Sequence, residues 1–186
     1  MIRRGGAFSC VFYKSCHLDR NGISTEMQLS KNEFWDSTNV PSPLIPSALY
    51  KAEQELKVKL PAELIELLYM QNGGYTGVFV FPTKQATAWS TDHVPFDEMF
   101  GIPNDESSDR ISMLDTNYMT QEWGLPEKQV IVSGDGHWFI TLDYRKGPVP
   151  SIAWIDTEME QDVQLAESFA KFFAGLVSKD DFVFAE

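Results

Sequence analysis

The chain has 186 residues, with 15 Lys and Arg against 27 Asp and Glu, and a formal net charge of −12. Recognition of phosphates depends on Lys and Arg, so this charge argues against a nucleic-acid partner and favours a basic protein. No apolar run approaches the roughly 20 residues that span a bilayer. The stretch after Arg3 and Arg4 is interrupted at Ser9 and Lys14, which makes a poor secretory signal. We therefore expect a cytoplasmic protein without membrane contact.

Charge is distributed unevenly along the chain. Residues 1–33 hold five Lys and Arg against three Asp and Glu, whereas residues 34–186 hold ten against twenty-four. The first segment shows no clear hydrophobic period, and Met27 precedes the region where patterned sequence begins. We expect residues 1–33 to extend a single domain at 34–186, with Met27 as the true start or residues 1–26 as a disordered tail.

Two helices are predicted in the first half of the domain. The first begins near Pro46, with Ser47 as its N-cap. The second has Pro61 at its first position and ends at Asn72-Gly73-Gly74. A closing helix is predicted from an apolar stripe at helical spacing. That stripe consists of Leu165, Phe169, Phe172, Phe173 and Leu176.

The middle of the chain predicts strands, with one helix between them. The extended segments are 78–81, 93–102, 130–144 and 152–155, and the helix covers 113–123. The segment 130–144 is a hairpin that turns at Ser133-Gly134-Asp135-Gly136. Helices first, then hairpins, then a closing helix indicate an α+β fold with a mixed, mainly antiparallel sheet and flanking helices.

Several landmarks, taken in chain order, resemble the SUKH superfamily, which is named partly for yeast cell-wall synthesis regulators. They are Phe34-Trp35, residues 55–61, Gln71-Asn72-Gly73-Gly74, Phe100-Gly101-Ile102-Pro103, Gly124-Leu125-Pro126, residues 133–137, Leu142-Asp143-Tyr144-Arg145 and residues 166–173. The resemblance covers residues 34–178. It implies one compact α+β domain that binds other proteins and uses no cofactor. Many bacterial members are immunity proteins against polymorphic or contact-dependent toxins, several of which are nucleases.

Residues able to carry catalysis are few. His17, His93 and His137 lie far apart and show no metal-ligand spacing, and Cys10 and Cys16 form no CxxC pair. This spacing therefore predicts no metal site, and the resemblance implies that no catalytic residue and no cofactor are present.

Asp135 and His137 are interpreted as turn residues, and Asp143, on an apolar strand, as a buried carboxylate that needs a donor. A small hydrolase that uses Asp135, His137 and Asp143 stays open as an alternative.

The acidic surface is the candidate binding site. Its residues combine carboxylates with one tryptophan in polar surroundings: Trp89, Asp105, Glu106, Asp109, Asp156, Glu158, Glu160 and Asp162. Together with the resemblance, they predict an immunity protein that neutralises a basic protein toxin, with a nuclease as one candidate class. The alternative is a non-catalytic interaction or scaffold module in a regulatory pathway. A small-molecule substrate is not expected.

Overall fold

The computed structural model describes residues 29–38, 40–105 and 110–182. The helices in this part of the chain are α1 (Pro46–Leu56), α2 (Ala62–Met70), α3 (Thr116–Glu122) and α4 (Phe169–Ala174), and a short 3-10 helix (Met113–Asp115) leads into α3. The strands are β1 (Gly74–Pro82), β2 (His93–Met99), β3 (Gln129–Gly134), β4 (Trp138–Asp143), β5 (Ser151–Asp156), β6 (Gln161–Ala166) and β7 (Val177–Ser178).

The strands form two antiparallel sheets. One has the order β2-β1-β7 and the other the order β3-β4-β5-β6. The backbone amide of Phe100, just after β2, donates to the carbonyl oxygen of Val132 in β3 at 2.7 Å and so links the sheets. The predicted α+β class of a single domain is confirmed, with two fully antiparallel sheets in the described residues in place of one mixed sheet.

Prolines determine where the first two helices begin. Pro46 occupies the first turn of α1 and Ile45 is its N-cap, so the prediction that Ser47 caps this helix is wrong. The physical reason is that the fixed φ of Pro46 already suits the helix, which places Ser47 inside the first turn. The amide of Ile45 donates instead to the Asn104 side chain at 3.0 Å. Pro61 is the N-cap of α2, one residue before the first helical position that was predicted for it, and the buried face of this helix carries leucines.

The core is built around the phenylalanines of α4. The Phe172 ring stacks on Phe81 of β1 at 4.8 Å and meets Phe96 of β2 edge-on at 5.1 Å. Phe173 contacts Phe34 at 5.4 Å, and Phe34 also stacks on Phe79 at 5.9 Å. The helix also contacts β5 and β6, so it packs against both sheets and holds them together.

The closing helix is shorter than the sequence predicts. Leu165 lies in β6 and Leu176 follows the helix, so only Phe169, Phe172 and Phe173 of the predicted stripe are helical. Ser168 sets the start, because its hydroxyl oxygen accepts a hydrogen bond from the Lys171 amide at 3.2 Å. The preceding residues are extended because they pair with β5.

Most of the expected N-terminal extension lies outside the described residues, which begin at Leu29. Leu29 packs against the hydrophobic core, and Lys31 forms an ion pair with Glu66 of α2. The last residues before Phe34 thus contact the domain.

Replacing Phe172 with alanine removes a fully buried ring that contacts both strands of the β1–β2 hairpin. We expect Phe172→Ala to lower the free energy of unfolding by about 3–5 kcal/mol, measured by urea denaturation. Tyr50→Ala, at a side chain that is 64% exposed, should change it by less than about 0.5 kcal/mol. Equal effects of the two substitutions would contradict this description of the core.

Candidate functional site

Two tight turns lie side by side at one end of the second sheet. In the β3–β4 turn, an Asp135 carboxylate oxygen accepts hydrogen bonds from the amides of His137 (3.0 Å) and Trp138 (3.3 Å). In the β5–β6 turn, Asp156 accepts from the amides of Glu158 (3.0 Å) and Met159 (2.8 Å). Both aspartates stabilise their turns in this way, and the turn role predicted for Asp135 is confirmed.

Strand register places the two turns together. Trp138 pairs directly with Asp156, and the Thr157 amide donates to the His137 carbonyl oxygen at 3.1 Å. We call the residues 135–138 and 156–160 the hairpin tip. Four carboxylates, those of Asp135, Asp156, Glu158 and Glu160, are therefore gathered at one edge of the molecule.

Trp89 lies beside the hairpin tip. The Ala88 amide donates to the Gln161 side chain at 2.6 Å, which fixes the β1–β2 loop against β6. The Trp89 ring meets Trp138 edge-on at 5.7 Å, and Trp138 stacks on the buried Trp154 at 4.5 Å. The Trp89 side chain is nevertheless 51% exposed. An aromatic ring held on a rigid support at the surface is typical of a binding anchor.

The negative charge of the hairpin tip is little compensated. His137 contacts Glu158 at 2.8 Å, with both side chains more than half exposed. Within the described ranges, no ion pair with Lys or Arg reaches Asp135, Asp156, Glu158 or Glu160. Such a surface repels anions and attracts a cationic partner over about a Debye length, which is roughly 8 Å at physiological salt.

Asp162, by contrast, is neutralised within the molecule. The Arg145 guanidinium binds Asp162 of β6 and also donates to both carboxylate oxygens of Asp143, at 2.9 and 2.8 Å. These carboxylates hold the pKa of Arg145 above its ordinary value, Asp162 more strongly than Asp143.

Asp143 is buried, with 4% of its surface exposed. Burial alone would raise its pKa, but hydrogen bonds from Arg145 and Gln129 outweigh burial, so its pKa is lowered. The donors that a buried Asp143 needs are thus present. They are the side chain and the backbone amide of Arg145, and the side-chain amide of Gln129 at 3.0 Å.

The residues predicted for partner binding do not all lie together. Trp89, Glu158 and Glu160 are exposed at or beside the hairpin tip. Asp156 belongs to it but is only 6% exposed. Asp162 is paired with Arg145. Asp105 lines a different surface, and Glu106 and Asp109 fall outside the described residues.

Asp105 lies far from Trp89 because the β1–β2 hairpin separates them. Asp105 lines a cleft of about 300 Å³ together with Gly73, Gly101 and Arg110, near the end of the hairpin where Gly74 pairs with Met99. Trp89 is in the loop that joins the two strands at their other end. A nine-residue strand spans roughly 25 Å, so Asp105 does not extend the acidic surface at the hairpin tip.

Two residues of this surface were not predicted as binding residues. Asp135 was interpreted only as a turn residue, and Met159, which is 66% exposed between Glu158 and Glu160, was not considered. A signal existed in the strand pattern, since a hairpin tip exposes whatever its turn contains.

The three residues of the hydrolase alternative are not brought together. Asp135 lies before the first residue of β4 and Asp143 is its last. His137 pairs with Glu158, and Asp143 is enclosed by Arg145 and Gln129. Within the described ranges, no group of three His, Cys, Asp or Glu side chains could hold a metal ion. No helix among the same residues is both long and apolar enough to cross a membrane.

The family model SUKH_6, described as SMI1-KNR4 cell-wall, matches residues 47–173, well over half of the chain. The chain therefore belongs to this family, and the predicted resemblance is confirmed. A comparison with curated proteins finds no match.

Removing the Arg145 charge should destabilise the protein in a pH-dependent way. We expect Arg145→Met to lower the free energy of unfolding by about 2 kcal/mol at pH 7, because the buried Asp143 carboxylate loses its partner. In the wild type, the lowered pKa of Asp143 stabilises the fold above about pH 4. That contribution is lost as the pH falls through the lowered pKa.

The difference between the wild type and Arg145→Met should therefore shrink between pH 7 and pH 3, as measured by urea denaturation. Lys146→Met is the matched control, because Lys146 is exposed and bonds only Gln164 among the described residues. A loss independent of pH, or one equal to that of the control, would disprove the role of this ion pair.

Proposed function

We propose that this protein is an immunity protein that binds and neutralises a basic protein toxin. The single observation that supports this most is the half-exposed Trp89 beside four carboxylates that have no Lys or Arg partner within the described ranges. The proposed site of action is the cytoplasm. The protein acts by occupying the toxin surface and performs no catalysis.

Each part of the hairpin tip has a role in this proposal. The exposed carboxylates Glu158 and Glu160 speed the encounter with a cationic surface and select against acidic partners. Trp89 and Met159 supply apolar area that is buried on contact. Nuclease active surfaces are basic because they bind phosphates, so a nuclease is the toxin class that this surface fits best.

A regulatory interaction module is the second candidate. The description of the matching family model refers to the cell wall, which favours a module that binds a host protein without blocking an active site. A toxin gene next to the gene for this chain supports immunity, whereas its absence supports the regulatory module.

Reversing the charges of the hairpin tip tests the immunity proposal. We expect Glu158→Lys with Glu160→Lys to weaken binding of the toxin from the adjacent gene by about 100-fold at low salt, measured by titration calorimetry, and to abolish rescue in co-expression. The wild-type affinity should fall as salt rises.

The matched control is Glu55→Lys with Glu127→Lys. Both carboxylates are exposed, and Glu127 lies near the opposite end of the β3–β4 hairpin from the tip. Glu55 lies four residues before Lys59. The Lys59 carbonyl oxygen accepts a hydrogen bond from the Tyr144 hydroxyl, which is at that same end of the hairpin. The proposal fails if every adjacent toxin candidate is left unneutralised by the wild type, or if both double variants weaken binding equally.

Trp89 should be the main apolar anchor of the complex. We expect Trp89→Ala to weaken toxin binding by at least about 30-fold, with little change in the folding free energy because the ring is half exposed. Trp123→Ala, at a tryptophan that is 46% exposed on another element, is the control and should leave affinity within about threefold. Equal losses for both would refute an anchoring role for Trp89.

A further inference from the structure

Strand β6 is an edge strand whose outer side is unused. In the sheet order it pairs only with β5. Among the described residues, no backbone group of Gln161–Ala166 makes a hydrogen bond outside that pairing. The pairing with β5 is regular over Gln161–Gln164 and irregular at Leu165, so the alternate amides and carbonyls of these four residues are free to pair with another extended chain.

The other edges of the two sheets are shorter or protected. β7 has two residues. β2 contains Pro95, which lacks an amide proton. On β3, the Ile131 amide donates to the Thr116 hydroxyl at 3.0 Å, and the Val132 carbonyl oxygen accepts from Phe100. β6 contains neither proline nor lysine, two of the residues with which proteins protect such edges, and its irregularity at Leu165 lies at the far end of the strand from the hairpin tip.

Contacts on both faces hold β6 in place. The side chain of Gln161, the first residue of β6, accepts a hydrogen bond from the Ala88 amide. Asp162 is bound by Arg145, and the Gln164 side chain accepts from Lys146 at 2.8 Å. An edge that is already ordered loses little conformational entropy when a strand is added, which favours binding.

Charge indicates which chain the edge accepts. Glu160 precedes β6 and has no Lys or Arg partner among the described residues, whereas Glu167, which follows β6, is ion-paired with Lys171. A second copy of the chain carries the same net charge of −12, so its approach is opposed by repulsion. A strand that carries lysine or arginine would find a favourable cross-strand partner in Glu160.

We propose that β6 is a docking edge to which an extended, lysine- or arginine-bearing segment of the partner protein adds as a further strand. The identity of that partner as a toxin rests on the proposed function. Backbone pairing provides the register, and the hairpin tip and Trp89 contact the segment at the Gln161 end.

The test uses a synthetic probe, the acetylated and amidated hexapeptide Lys-Val-Lys-Val-Lys-Val, added to the isotope-labelled full chain. We expect shifts of the backbone amide signals of residues 161–166. Alternate amides of β6, which exchange fast in the free protein, should be slowed several-fold in hydrogen exchange. Two further peptides carry N-methyl groups on all lysine or all valine amides, and at least one should bind about tenfold more weakly.

Variants separate backbone pairing from simple charge attraction. The double substitution Glu158→Lys with Glu160→Lys should weaken binding of the peptide several-fold, whereas Glu55→Lys with Glu127→Lys should leave peptide binding unchanged. The inference is overturned if the peptide shifts no β6 amide at millimolar concentration, or if both N-methylated peptides bind as well as the unmodified one. Slowed β6 exchange that depends on protein concentration without peptide would assign the edge to a second copy and would also overturn it.

The peptide experiment contains no toxin, so its outcome is independent of the rescue experiment. If the peptide binds but the chain does not rescue cells from the toxin, strand addition at β6 is supported and the immunity proposal is refuted. Rescue without peptide binding retains immunity and refutes strand addition.

Discussion

The position of the edge strand in the second sheet depends on the ion pairs that the Arg145 guanidinium makes with two aspartates. This guanidinium joins the buried Asp143, at the end of β4, to Asp162 on the edge strand β6. A buried carboxylate without a partner is costly, and an edge strand held only by backbone pairing on one side is loosely ordered. One cation satisfies both needs, so the β5–β6 hairpin and its acidic turn have a defined position.

The aromatic residues act in two ways in this molecule. The phenylalanines of α4 close a core between the two sheets, and the tryptophans carry that packing outward to the surface. Trp154 is fully buried and Trp138 stacks on it. The Trp89 ring contacts Trp138 edge-on, and half of the Trp89 surface is exposed. An exposed ring supported in this way loses little freedom on binding, which is the property expected of an anchor. Among the described residues, most carboxylates lie outside the core, so their negative charge is at the surface.

Local sequence signals predicted much of the fold. Pro46 and Pro61 marked two helices, and the glycine-flanked Asp135 marked the central hairpin. Strand β6 was missed because Leu165 lies four residues before Phe169 and completes a helical stripe by coincidence. The pairing of β6 with β5 outweighs that local period.

Side-chain partners across the fold were less accessible to prediction. The acidic residues at the end of β5 and after it were singled out as a group, but the pairing of Asp162 with Arg145 depends on how β4 and β6 approach each other. The distance between Asp105 and Trp89 likewise follows from the length of the β1–β2 hairpin, which no short pattern encodes. The sequence could show which charges exist, whereas the fold decides which of them remain uncompensated.

The most direct test of the account is amide hydrogen exchange of the full chain, free and bound to the toxin encoded by the adjacent gene. We predict that protection on binding is concentrated in residues 87–89, 135–138 and 156–166. Protection confined to the cleft around Gly73, Gly101 and Asp105, with the hairpin tip and β6 unchanged, would contradict it.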